Sequence, residues 1–397
     1  MKNDDGTPRT LLQDCWLDGE RVDVLVEGGR IAAIGAIEGP ATRSGGTICP
    51  PFAEPHVHLD ATLLAREAPN LSGTLEEGIA NWARLRDGLG KDDVKRRARE
   101  TLGWYRDHGC FRVRTHVDTG CLQNVEALVE LRDEVAERGT TLQIVAFPQE
   151  GILTGQGREA LWREAVAMGC DAVGAIPHFE PTRAEGDRSL RLAMELAARE
   201  GVALDVHCDE RDSGDFRHIR TLCALASEHP EVNVVAGHCT AMHAYPADIA
   251  EEVIEEVVQS GVQIVTNPLD NIVLQGRGSY PRMRGHTRVD ELWAAGACVG
   301  IGHDSVMDPW YGLGTANLLD AAYVLVHYAH LTAREQLERC FTALSDENHR
   351  PFGSRPSIQV GAATDFLFFD ARDPVEVLRL RPKPLIVRPS DDPAASS

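Results

Sequence analysis

Val202-Ala-Leu-Asp-Val-His207 is an apolar run that stops on an imidazole, and three other stretches stop on a histidine or an aspartate. They are Pro55-His56-Val57-His58, Ala236-Gly237-His238 and Gly302-His303-Asp304. Each closes a segment that reads as a β-strand on a side chain able to bind metal or handle protons. Strand ends this far apart in sequence converge only if the strands lie side by side.

The same grammar repeats on either side of these stretches. A helical segment closes on a glycine, a short β-branched run follows, and a polar residue ends it. Glu200-Gly201 precedes Val202–His207, Ser260-Gly261 precedes Val262–Asn267, and Ala295-Gly296 precedes Cys298–Asp304. His108-Gly109, Arg138-Gly139 and Met168-Gly169 stand likewise before Phe111–Asp118, Leu142–Pro148 and Ala172–Pro177. Glycine suits the left-handed position that ends a helix, and β-branched runs between such breaks read as buried strands. With Asn233–His238 and the strand leading into His56, the count is eight. Asp93–Asp107, Asn124–Glu137, Asp187–Arg199 and Ala247–Gln259 are long enough for crossover helices. The pattern predicts an α/β fold, a (β/α)8 TIM-type barrel with its chemistry at the carboxyl ends of the strands. An open doubly wound sheet is the alternative, but its glycine-rich phosphate turn after the first strand is absent.

The chain's 397 residues exceed the ~250–300 at which one core stops growing, so an appendage is expected. Val22–Val26 and Ile31–Ile34 about Gly28-Gly29 read as a hairpin, and Thr364–Phe369 and Leu385–Val387 read as strands. Residues 1–49 and 355–397 are therefore expected to build a small β-sandwich from the N- and C-terminal segments, beside a barrel of residues 50–354. Pro389–Ser397 reads as disordered. A net charge of −21 disfavours nucleic acid and anionic membrane as partners. No apolar run is long enough to span a bilayer, and Met1–Gln13 is polar and unlike a signal peptide. Ten cysteines without a CxxC pair read as free thiols of a reducing cytoplasm. Cys208 and Cys239, next to candidate histidines, are expected to pack outward because neighbours on a strand face opposite ways.

His56 and His58, two apart on a strand, face one side, a poor choice for a core and a good grip for metal. His207 adds a third imidazole and Asp304 an anionic oxygen, a set that suits Zn²⁺ or Fe²⁺. A divalent cation there lowers the pKa of bound water toward neutrality. Glu210, three residues past His207, is placed to take a proton from that water and pass it to a ring nitrogen. His238 is placed to orient the water or stabilise developing charge. His303 should point into the barrel wall, and His116 and His178 should support the site without binding the ion. The only lysines are Lys2, Lys91, Lys95 and Lys383, none on a barrel strand, so a carboxylated lysine cannot bridge two ions and one ion is expected.

The chain resembles bacterial-type cytosine deaminases of the amidohydrolase superfamily over most of its length. The resemblance is carried by Glu54-Pro-His-Val-His-Leu-Asp60, Ser72-Gly-Thr-Leu75, Arg114-Thr-His-Val-Asp118 and Gln143-Ile-Val-Ala-Phe-Pro-Gln-Glu-Gly151. It continues through Gly174-Ala-Ile-Pro-His-Phe-Glu180, Asp205-Val-His-Cys-Asp-Glu210, Thr240-Ala-Met-His243, Asn267-Pro-Leu269, Leu274-Gln-Gly-Arg277 and Asp308-Pro-Trp-Tyr311. It implies hydrolytic loss of ammonia from a free pyrimidine base, one Fe²⁺ or Zn²⁺ held by His56, His58, His207 and Asp304, and a homo-oligomer. It also implies that Glu210 shuttles the proton, with His238 near the water and Gln149 on the base's amide edge. Leu75 would offer a backbone contact, and Phe147 and Trp310 would border the ring. A primary amide such as Gln149 donates and accepts together, matching adjacent C=O and N–H groups.

Two departures bear on the substrate. Cytosine deaminases carry a second aspartate after the ligand, where this chain has Ser305. Serine opens space and removes a charge there, which predicts that a C5 methyl group is accommodated and that 5-methylcytosine is deaminated to thymine, with cytosine as a companion substrate. Asp270 and Val273 also depart from the family pattern, on what reads as a loop over the site. The alternatives are a plain cytosine deaminase, a deaminase of isocytosine, a triazine or creatinine, a cyclic-amide hydrolase, which would want a bridged metal pair, and a non-catalytic assembly barrel, which would be expected to have lost its ligands.

Overall fold

The computed structural model describes residues 9–278, 280–362 and 365–387. Eight parallel strands stand in chain order: Phe52–Val57, Cys110–Asp118, Thr141–Phe147, Ala172–Ala175, Ala203–Cys208, Val234–His238, Gln263–Thr266 and Val299–Ile301. First and last meet through a parallel bridge between Val57 and Asp304, where the Asp304 N–H donates to the His56 carbonyl at 2.9 Å. The sheet thereby closes into the expected TIM-type barrel. Crossover helices Lys91–Asp107, Leu122–Ala136, Arg183–Glu200 and Ala247–Ser260 lie where the sequence pattern puts them. Gly201 and Gly261 end two of these helices at φ of 66° and 71°, a backbone that costs a side-chain-bearing residue more than glycine.

The terminal segments form a separate mixed sheet of seven strands. Its order runs Leu385–Val387, Phe366–Phe369, Thr47–Cys49, Arg9–Leu17, Glu20–Glu27, Arg30–Gly35, with Arg43–Ser44 also on Arg9–Leu17. The hairpin expected about Gly28-Gly29 is present, with Glu27 opposite Arg30. Sequence reading gave no strand to Arg9–Leu17, which is central to the sheet. Its alternation is broken where the register slips between Leu12 and Cys15, with Asp14 at φ 52°. Thr364 and Pro389–Ser397 lie outside the described residues, so the expectations for them are not addressed by the structure.

Strand alternation joins the sheet to the barrel. Phe366 and Phe368 belong to the sheet's own core with Leu12, Val24 and Ile48, whereas Leu367 and Phe369 belong to the barrel core. The Phe52 ring, at the start of the first barrel strand, stacks on Phe369 at 5.8 Å and meets Phe341 edge-on at 6.0 Å. The strand that carries two of the candidate ligands is thus anchored at its base by aromatic packing.

The barrel wall leaves no room for a side chain at Gly174 on the fourth strand. A β-carbon there would lie 2.6 Å from the Ala146 carbonyl oxygen and 2.9 Å from the Phe147 α-carbon. Both are backbone atoms of a barrel strand and cannot step aside. Gly174→Ala is expected to destabilise the protein by about 1–3 kcal/mol, read as a lower urea midpoint. An unchanged midpoint would mean that the third and fourth strands do not approach this closely.

Candidate active site

His56 and His58 leave the first strand toward the barrel interior, where His207 and Asp304 meet them. His58 Nε2 lies 3.3 Å from His207 Nε2 and 3.5 Å from Asp304 Oδ1, and His56 Nε2 lies 3.7 Å from that oxygen. Neither ring nitrogen of His56 has a hydrogen-bond partner, although both are buried. Burial, helped by the neighbouring imidazoles, holds His56, His58 and His207 well below the ordinary histidine pKa, so their lone pairs are free. Metal–nitrogen bonds of about 2.0–2.1 Å put neighbouring donors about 3–3.5 Å apart, near the spacing found here. Orphaned neutral imidazoles around a carboxylate fit a divalent cation, and the cluster is a His/Asp metal site.

Backbone conformation helps to aim these groups. Asp304 and His238 sit at φ of 68° and 67°, and Asp209 and Cys239 at 47° and 50°. Left-handed conformations of this kind cost about 1–3 kcal/mol each and persist where surrounding bonds fix them. Asp304 is held by the barrel-closing bond to His56, and Cys239 by its N–H to the Cys208 carbonyl at 2.9 Å. Beneath the cluster, Asp205 accepts from Arg114 at 2.8 Å and lies 3.0 Å from His116 Nε2. Burial raises the Asp205 pKa, but His116 and Arg114 outweigh it and hold the carboxyl below its usual range. The His116 ring lies 4.0 Å from that of His56, ring centre to ring centre. His56, His207 and His238 form a further donor group, as do His56, His116 and Asp205, where the guanidinium on Asp205 opposes a second cation.

One cavity opens onto the cluster, lined by His58, Leu75, Gln149, His207, Glu210, His238, Asp270, Leu274, Asp304, Ser305 and Trp310. The side chains singled out from the sequence therefore share one space, apart from His56 and Phe147. His56 lies behind the cavity wall. Phe147 is fully buried and stacks flat on His207, 3.9 Å between ring centres, instead of facing the cavity. Burial raises the Glu210 carboxyl to about 7. His238 Nδ1 lies 3.6 Å from Glu210 Oε1 and 3.9 Å from Asp304 Oδ2. His303 turns into the wall, where its Nε2 accepts the Thr315 N–H at 3.2 Å. Cys208 and Cys239 are buried in the barrel's apolar core. His178, on the turn Pro177–Phe179, lines a different cavity with His218 and Phe216.

Three residues were not singled out as site residues from the sequence. Asn271 Nδ2 lies 3.1 Å from His238 Nδ1 and 3.4 Å from Glu210 Oε1, and Asn267 Nδ2 lies 3.4 Å from His238. Asp270 is the third, and it changes the reading of Ser305. Residues Pro268–Leu274 form a short helix, not the expected loop, and Asp270 is buried on it. The Ser305 hydroxyl donates to Asp270 Oδ2 at 2.6 Å. An acidic group is thus supplied again from the neighbouring helix, its carboxyl pushed well above the usual range by burial and the nearby Asp308, while the small size of serine stands. A signal existed: Pro268 opens a helix readily, and Asp270 and Leu274, four apart, share a face.

Comparison with known proteins gives a consistent picture. The model of the amidohydrolase family matches residues 67–383. The crystal structure of 5-methylcytosine deaminase from Klebsiella pneumoniae liganded with 5-fluorocytosine superposes with a TM-score of 0.90 at 35% identity, covering 96% of each chain. Pterin deaminase from Rhizobium rhizogenes is 26% identical over 372 residues, 89% of this chain and 81% of the relative. N-isopropylammelide isopropyl amidohydrolase from a Pseudomonas species is 25% identical over 374 residues, 89% of this chain and 88% of the relative. Among the described residues, no helix is long and apolar enough to cross a membrane.

The donor geometry predicts divalent metal in the purified protein at about one ion per chain, measured by plasma mass spectrometry. His207→Asn should lower that content severalfold, and chelation should lower the melting temperature of the parent but hardly that of the variant. Equal metal content in parent and variant would remove His207 from the donor set.

Proposed function

From the premise that this chain belongs to the amidohydrolase family, we propose that it deaminates a free cytosine-type base, with 5-methylcytosine to thymine as the favoured reaction and cytosine to uracil beside it. That it is a hydrolase acting on C–N bonds follows from the family and its deaminase relatives. The observation that carries the proposal is the single cavity in which Gln149 and Glu210 share walls with the His/Asp cluster. The 35%-identical 5-methylcytosine deaminase and the small Ser305 favour the methylated base.

In this reading His56, His58, His207 and Asp304 hold one Fe²⁺ or Zn²⁺ ion, which supplies Lewis-acid activation of water. Glu210 would take a proton from the water that attacks the amino-bearing carbon and pass it to the ring nitrogen. The water's second proton then goes to the exocyclic amine, which leaves as ammonia as the carbonyl forms. The burial of Glu210 suits the task, since a carboxyl raised to about 7 both accepts and releases a proton near neutral pH. His238, held by Asn271, lies against Glu210 and stabilises charge that develops beside it. Gln149 pairs with the ring's C=O and N–H edge, and rings lacking that edge leave a buried amide unsatisfied. Trp310 closes the cavity, its ring centre 5.7 Å from that of His58.

Ammonia release should be measured on metal-reconstituted enzyme with cytosine, 5-methylcytosine, 5-fluorocytosine, isocytosine, pterin and an alkylamino triazine. The expected result is a kcat/KM for 5-methylcytosine at least equal to that for cytosine, and about tenfold or more above the pterin and the triazine. Turnover confined to the pterin or the triazine would sink the proposal. Glu210→Gln should lower kcat by roughly 10²–10⁴ with metal content unchanged.

A further inference from the structure

Asp270 stands on the short helix after the seventh barrel strand and is almost wholly buried in the cavity wall. Its two oxygens are in different situations. Oδ2 accepts the Ser305 hydroxyl at 2.6 Å, whereas Oδ1 is shielded from solvent and has no hydrogen-bond partner. The nearby Asp308 has its Oδ1 engaged, accepting the N–H groups of Trp310 at 2.9 Å and Tyr311 at 3.0 Å. Its Oδ2 is also buried without a partner, but Asp308 does not line the cavity. A buried oxygen without a partner is costly, and in a ligand cavity the ordinary remedy is a hydrogen bond from the ligand. Its neighbours on that wall include Asp304 and Ser305, beside the site of bond cleavage in the proposed reaction.

We infer that Asp270 is a specificity-determining residue whose Oδ1 accepts a hydrogen bond from the exocyclic amino group of the substrate, and that Ser305 is the positioning residue that holds it. The inference rests on the deaminase reading and names the chemistry the cavity demands. The ring carries an N–H donor toward this wall, and the oxo product, with a carbonyl in place of the amine, does not. An aspartate at position 305 would combine an acceptor with bulk. Here the two are separated, with Asp270 supplying the acceptor and Ser305 leaving room beside it for a C5 substituent.

The test reverses the polarity of one group. Asp270→Asn keeps the shape and the bond from Ser305, but turns an N–H toward the ligand in place of an oxygen. KM for 5-methylcytosine and cytosine should rise roughly 10- to 100-fold, while competitive inhibition by thymine and uracil should tighten. A merely structural role would weaken substrate and product together, and that outcome, or no change in either, overturns the inference. Should Asp270→Asn fail to fold, Ser305→Ala serves, since it leaves the carboxylate in place but frees it. It is expected to raise KM by about three- to tenfold without tightening product, and an unchanged KM overturns the positioning role. If the parent enzyme deaminates no cytosine-type base, the functional proposal itself fails and the inference falls with it. If the parent is active and the variants do not discriminate, only the inference falls.

Discussion

The whole site depends on how the barrel closes. The strand carrying His56 and His58 meets the last strand through one bridge, Val57 to Asp304, and the Asp304 amide donates to the His56 carbonyl. The Asp304 N–H to His56 carbonyl bond and the His58 N–H to Asp304 carbonyl bond, which help to close the barrel, also set candidate ligands beside one another. His207 and His238 come from the far side of the ring, on the fifth and sixth strands.

Burial then gives these groups their chemical character. Three imidazoles taken from water remain neutral and able to coordinate, and the Glu210 carboxyl is raised to about 7 by the same loss of solvent. Opposing this, Asp205 keeps its charge below the cluster because Arg114 and His116 compensate its desolvation. The barrel interior is thus graded. A compensated carboxylate lies at its waist, with the candidate metal donors above it and the raised Glu210 carboxyl at the mouth.

What could be read from the sequence follows from what is periodic in it. The glycines that end helices and the β-branched runs behind them identify eight strands without any tertiary knowledge, because backbone handedness and strand burial are local properties. The histidines could be placed because a strand's alternation settles which residues share a face. Arg9–Leu17 escaped notice because a slip at Asp14 interrupts that alternation. Phe147 could be assigned to the site's neighbourhood, but only the packing of adjacent strands decides that it faces His207 and not the cavity. Asp270 was noticed as a departure but given no role. Its meeting with Ser305 spans 35 positions, and the local helix signal from Pro268 does not say which distant side chain that face will meet.

The left-handed backbone at Asp304, His238 and Asp209 has a consequence for how such a site can change. Aspartate, asparagine and histidine are the side-chain-bearing residues most at ease in that conformation. Of these, aspartate and histidine can also coordinate a cation or carry a proton. Two independent filters, one steric and one chemical, therefore admit nearly the same short alphabet at these positions. Random substitution there has few viable exits, whereas Asp270 and Ser305, at ordinary backbone angles, face only the chemical filter. Selection for a new substrate would find its freedom in that pair while the strand ends stay fixed.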